Sequence, residues 1–214
     1  MLLRRATLGS VRAPLCLALL LAAGPALAQP KADPDWPCAQ RKVTTLGYGS
    51  FWTGPDLAEA GEWGNDREAA QLARKLASRR TELREADTLL DEFTEKLDPA
   101  EKSKRLTRVF AGVFEIINGE RSTVMSGITR YAQGQRRLAE RIRDEADKVS
   151  ELKDSPESDP TKVASKEAAD LETQFNWDRR IFDERNQSVS YVCEVPTILE
   201  QRLGEIARRI QARL

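Results

Sequence analysis

Residues 110–152 read FAGVFEIINGERSTVMSGITRYAQGQRRLAERIRDEADKVSEL. Alternating steps of four and three from Phe110 fall on Phe114, Ile117, Arg121, Val124, Ile128, Tyr131, Gln135, Leu138, Ile142, Glu145, Val149 and Leu152. Ten of these thirteen positions are apolar, where a 40% apolar composition would supply about five, so the period is helical. Such a row forms the seam of a coiled coil. Upstream, Asp98-Pro99-Ala100-Glu101 supplies a cap, a proline suited to the first helical position and a capping-box acid. The spacing therefore predicts one helix over about 99–153, roughly 80 Å long at 1.5 Å per residue. Gly112, Gly119, Gly127 and Gly134 lie inside it and either permit close helix contact or allow a bend; a break near Asn118-Gly119 is the alternative to one continuous helix.

The same rhythm extends to both sides. Ala69, Leu76, Leu83, Leu90 and Leu97 recur every seven residues, with Leu72, Ala86 and Phe93 three places on and Arg79 interrupting the second row. This predicts a helix over about 66–97. Downstream, Asp154-Ser155-Pro156-Glu157-Ser158 reads as a turn, and Asp159-Pro160 as a new cap and first helical position. The positions Ala164, Ala168, Leu171, Phe175, Asp178, Phe182, Arg185, Val189 and Val192 predict a helix over 160–192. Pro196 is read as the start of a last helix over 196–213 with the seam Leu199, Leu203, Ile206, Ile210 and Leu214.

These lengths give an all-α fold: an elongated antiparallel helical bundle with a coiled-coil stalk and an irregular aromatic N-terminal segment. The first helix is expected to fold back along the first half of the long one, placing its start near Thr129. The third folds back along the second half, placing Cys193 near Glu120. The last helix completes a three-helix body, leaving a two-helix stalk tipped by Asp154 to Asp159.

Residues 1–28 read as a signal peptide: Arg4, Arg5 and Arg12, an apolar run from Leu15 to Ala23, and Ala26-Leu27-Ala28 before the cleavage site. The run is too short to span a bilayer. The Arg4-Arg5 pair leaves the Sec and twin-arginine routes open. Cleavage removes three arginines, leaving 31 basic against 34 acidic residues and a charge of −3. That balance lacks the basic footprint of a nucleic-acid binder. Cys38 and Cys193 then remain, one near each end, and an even pair outside the cytoplasm is expected to form a disulfide.

Residues 29–65 form a distinct segment rich in proline, glycine and aromatics, with a short helical turn expected after Pro55. Its Trp36, Tyr48, Phe51, Trp52 and Trp63 are candidates for binding a partner, because such residues dominate interface hot spots. The other reading is that they cap the helical body and shield helix ends, since tryptophan buries large area.

The chain contains no histidine, which removes histidine metal sites and Ser-His or Cys-His nucleophile pairs. Gly47-Tyr48-Gly49 lacks the strand-to-helix setting of a dinucleotide loop. Ser150-Glu151-Leu152-Lys153 matches the acylating Ser-x-x-Lys pattern without its partner motifs. Asp154, Glu157 and Asp159 lack calcium-loop spacing. Paired arginines such as Arg179-Arg180 and Arg208-Arg209 sit among acids and read as solvated helix faces. Arg121, Gln135 and Glu145 break the long seam and either set register or face water.

The stretch Asp35-Trp36-Pro37-Cys38-Ala39-Gln40-Arg41-Lys42-Val43, with Trp52-Thr53-Gly54-Pro55 after it, resembles the start of a group of uncharacterised exported helical proteins of proteobacteria. The resemblance implies a Gram-negative periplasm and carries over no catalytic residue. These readings lead to a non-enzymatic periplasmic structural or adaptor protein, without a cofactor, metal or small-molecule substrate. It would bind another envelope protein through helical surfaces and could dimerise; the alternative is a holdase-type chaperone.

Overall fold

The computed structural model describes residues 33–154 and 166–214. The signal peptide, the Asp159-Pro160 helix start and the acidic positions Glu157 and Asp159 lie outside those residues. Every regular element described is helical: α1 Leu57–Ala60, α2 Arg67–Ala77, α3 Leu83–Thr94, α4 Pro99–Asp154 and α5 Lys166–Gln211, with single 3-10 turns at Tyr48–Ser50 and Trp63–Asn65.

The long helix α4 is continuous, as its seam requires. Its start is capped as the sequence indicates, the Asp98 carboxylate accepting from the Ala100 N–H at 2.8 Å. Leu106, Val109, Phe110, Val113 and Ile117 are fully buried. No break occurs at Asn118-Gly119. Of its glycines, Gly112 is the one that admits close approach: a Cβ there would lie 2.8 Å from both the Ala73 Cβ and the Trp63 ring, whereas Gly119 faces open space.

The helix expected over 66–97 is instead two. Its heptad row stays in phase from Leu76 to Leu83, but the chain reverses at residues 78–82. Asp66 caps α2 by accepting from the Ala69 N–H at 3.1 Å. Arg105 pairs with that same carboxylate at 2.7 Å, and Arg79 with Glu120 at 3.1 Å. Residue numbers on α2 and α4 thus rise together, so α2 runs parallel to α4, with its start near Arg105 rather than Thr129. α3 returns beside α5, where Asp87 and Asp91 pair with Arg209 and Arg213 at 3.3 and 2.6 Å. The body therefore holds four helices running up, down, up and down, not three. The short connections from α2 to α3 and from α3 to α4 favour this antiparallel arrangement.

The two helices expected over 160–192 and 196–213 are one, α5, with Pro196 in its interior. Proline there removes one intrahelical hydrogen bond at a cost of about 3 kcal/mol. The buried row explains why the helix persists: the expected seam residue Val192 is exposed, but Cys193, Pro196, Leu199, Leu203, Ile206 and Ile210 follow at steps of three and four and are all buried, so a continuous helix keeps them in the core. Burial of those side chains outweighs the one lost bond.

α5 runs antiparallel to α4. Arg121 reaches Glu200 at 2.6 Å, Tyr131 donates to the Arg185 carbonyl, Gln135 donates to the Phe182 carbonyl at 3.3 Å, and Arg141 reaches Asp178 at 2.5 Å. Arg121 and Gln135, two polar breaks in the seam, thus make cross-helix bonds that fix register. The third, Glu145, is also buried, 3.8 Å from Arg141.

Candidate functional site

The disulfide joins Cys38 to Cys193 with the Cα atoms 5.5 Å apart. Cys193 shares a small cavity with Met125, about a turn beyond the expected level of Glu120. The bond ties down an extended strap, residues 33–56, that descends along α4. Asp35 meets Gln133 and Arg136 at 2.9 and 2.8 Å. Thr44 accepts from Ser122, the Leu46 N–H donates to Asn118 at 3.2 Å, and Tyr48 meets Phe114 edge-on. At the bottom, the Thr53 N–H and hydroxyl both donate to Gln211 of α5, at 2.7 and 2.6 Å.

Four of the five aromatic candidates converge on the lower half of α4. Trp52 is 5% exposed and stacks on Phe110 with ring centroids 4.1 Å apart. Its indole N–H donates to the Pro55 carbonyl at 2.8 Å. Phe51 packs against the same core. Trp63 lies on Gly112, its indole donating to Glu115 at 2.7 Å and the Arg74 guanidinium lying over its ring. Tyr48 keeps almost half its surface free. Trp36 stands apart beside the disulfide, half-buried, donating to the Gln40 carbonyl at 2.6 Å. Together with Leu46, Met125 and Pro196 it lines a cavity of about 200 Å3 that also touches the Arg121–Glu200 pair.

Electrostatics at the body follow the same helix contacts. The Arg105 guanidinium beside Asp66 holds that carboxyl below the ordinary aspartate value, despite burial acting the other way. Hydrogen bonding from Arg213 does the same for Asp91. At the α4–α5 crossing near Tyr131, burial pushes the phenol up.

A second surface escaped the sequence reading. Trp177 is 60% exposed and Tyr191 75% exposed, both on α5, and Ile198 is about half exposed further along. They are separated by multiples of seven, so they lie along one side of the helix. Val192 adds a fourth exposed apolar side chain. Val192, an expected seam position, is thus on the outside, and large apolar residues at heptad spacing off the seam are a legible signal of a second face.

Among the described residues, no group of three or more His, Cys, Asp or Glu side chains is placed to hold a metal ion, and no helix is long and apolar enough to cross a membrane. Fold and surface define an all-helical bundle braced by a disulfide-tied strap. No family model matches the chain, and no curated protein or solved structure is similar to it.

Proposed function

We propose that this chain is a non-enzymatic, exported structural or adaptor protein of the periplasm that binds another envelope protein through helical surfaces. The observation that carries the reading is the outward face of α5, where Trp177 and Tyr191 stand exposed on one side of the helix. Large aromatics are costly to leave in water and serve as anchors when covered by a partner. The segment of α4 and α5 beyond the four-helix body acts as an elongated coiled-coil stalk that presents this face.

Export and signal cleavage after Ala28 complete the reading. A disulfide between residues 155 apart in sequence fits an oxidising compartment. The absence of histidine from the whole sequence narrows the catalytic chemistry open to the chain.

Among the candidate aromatics, Trp52 and Trp63 serve the body, whereas Tyr48 and Trp36 retain accessible surface for a partner. A second copy of the chain could cover α5, giving a dimer. The test is the mass in solution by light scattering, measured for the mature protein and for Trp177→Ser with Tyr191→Ser. A monomer mass for both directs the face to a different protein. A dimer lost only in the double variant assigns it to self-association.

A further inference from the structure

α4 and α5 bring two buried carboxyl groups to one guanidinium along an otherwise largely apolar seam. Glu145 on α4 is 7% exposed and Asp178 on α5 is 4% exposed. One cation serves both: the Arg141 Nε lies 2.5 Å from Asp178 Oδ2 and 3.8 Å from Glu145 Oε1. That guanidinium is itself more than half exposed, so solvent screens it. Glu145 Oε2 is buried and makes no hydrogen bond. Lys148, the next charged group facing Glu145 from α4, gives weaker attraction; from α5 the facing group is Asp178.

We propose that Glu145 and Asp178 form a pH-sensitive clasp between the two helices, closed when Glu145 is protonated and donates to the Asp178 carboxylate and loosened when Glu145 is ionised. Two carboxylates in one buried site with one screened cation favour uptake of a proton from solvent. The protonated Glu145 then donates to the Asp178 carboxylate, which also keeps its bond to Arg141. Burial, with the Asp178 charge second, pushes the Glu145 carboxyl above the ordinary 4.5. A carboxyl raised in the folded state adds stability that is complete below its unfolded value and is lost as pH rises through its folded value. The clasp therefore tightens on mild acidification and loosens toward neutrality. The four-helix body does not share this dependence, because its carboxylates at Asp66 and Asp91 are shifted the other way.

The clasp is independent of what binds α5, and its test uses the mature chain alone. Carbonyl NMR of Glu145 gives the midpoint directly. Amide hydrogen-exchange protection factors, taken at pH 5 and pH 7.5, compare α4 and α5 around the pair with α2 and α3. Expected are a Glu145 midpoint above 4.5 and protection near the pair several-fold higher at pH 5, with α2 and α3 little changed. Glu145→Gln, which mimics the protonated acid, should hold the higher protection at both pH values. Asp178→Asn should bring the Glu145 midpoint down, since Arg141 is then left to Glu145. A Glu145 midpoint at or below 4.5, or the same pH dependence in Glu145→Gln, would overturn the clasp.

Discussion

The guanidinium of Arg202 on α5 donates to the carbonyl of Leu76 at the end of α2, from Nη2 at 2.7 Å and from Nε at 3.0 Å. Nη2 also reaches the Thr81 carbonyl at 2.8 Å, across the reversal between α2 and α3. A helix end leaves its last carbonyls without intrahelical partners. Here a charged donor from a distant element satisfies them and holds the hairpin closed.

Arg202→Ala should therefore destabilise the body by about 1.5–3 kcal/mol, the range for hydrogen bonds to charged groups. Chemical denaturation checks this, and exchange protection should fall first at the end of α2. Arg202→Lys should recover only part of the loss, since a single ammonium does not reproduce the two-pronged geometry.

Two glycines on the same helix should respond oppositely to alanine. Gly119 faces open space, so Gly119→Ala should stabilise by up to about 1 kcal/mol through helix propensity. At Gly112 the new methyl would sit 2.8 Å from Ala73 and Trp63, and Gly112→Ala should cost about 1–3 kcal/mol by overpacking. Thermal unfolding of the two variants separates the effects by sign.

Cys38→Ser with Cys193→Ser should lower stability by about 4–5 kcal/mol, the chain-entropy value for a loop of this length and an upper estimate where the denatured chain is compact. Loss of protection should be greatest in strap residues 35–47. Trp52, stacked on Phe110, should keep the lower strap in place, so its fluorescence should change little under native conditions.

Asp66 gives an acid-side prediction. Its carboxyl is depressed in the folded state, chiefly by the hydrogen bond from Arg105, so it contributes stability above 3.8 that is lost as pH falls through its folded value. Asp66→Asn keeps a side-chain acceptor for the cap but not the charge. The stability gap between the natural chain and Asp66→Asn should be full at pH 6 and should close as pH falls from 4 toward 2. A gap that stays constant over that range would mean that the charge contributes nothing.

The seam of α4 and the pairing of Cys38 with Cys193 were legible because each rests on a local rule: helical period, and the parity of two cysteines in a chain expected to be exported. The reversal at residues 78–82 was not. Leu76 and Leu83 remain seven apart across it, so periodicity alone reads through the loop, and Arg79 in the seam was the visible hint. Pro196 misled in the opposite way. A proline ordinarily marks a boundary, but the buried row Cys193, Pro196 and Leu199 runs through it, so packing holds the helix together. The candidate surface was half legible. The aromatic strap stands out by composition, while Trp177 and Tyr191 lie off the seam that defines their helix and carry no such compositional signal.

Binding of an envelope protein by the α5 face is tested most directly by crosslinked affinity capture from native envelopes, comparing the natural chain with Trp177→Ser plus Tyr191→Ser. The adaptor reading predicts one dominant partner in near-stoichiometric amount, lost from the double variant while its thermal stability is unchanged. A broad spread of unrelated exported proteins, or a partner retained equally by the double variant, would contradict it.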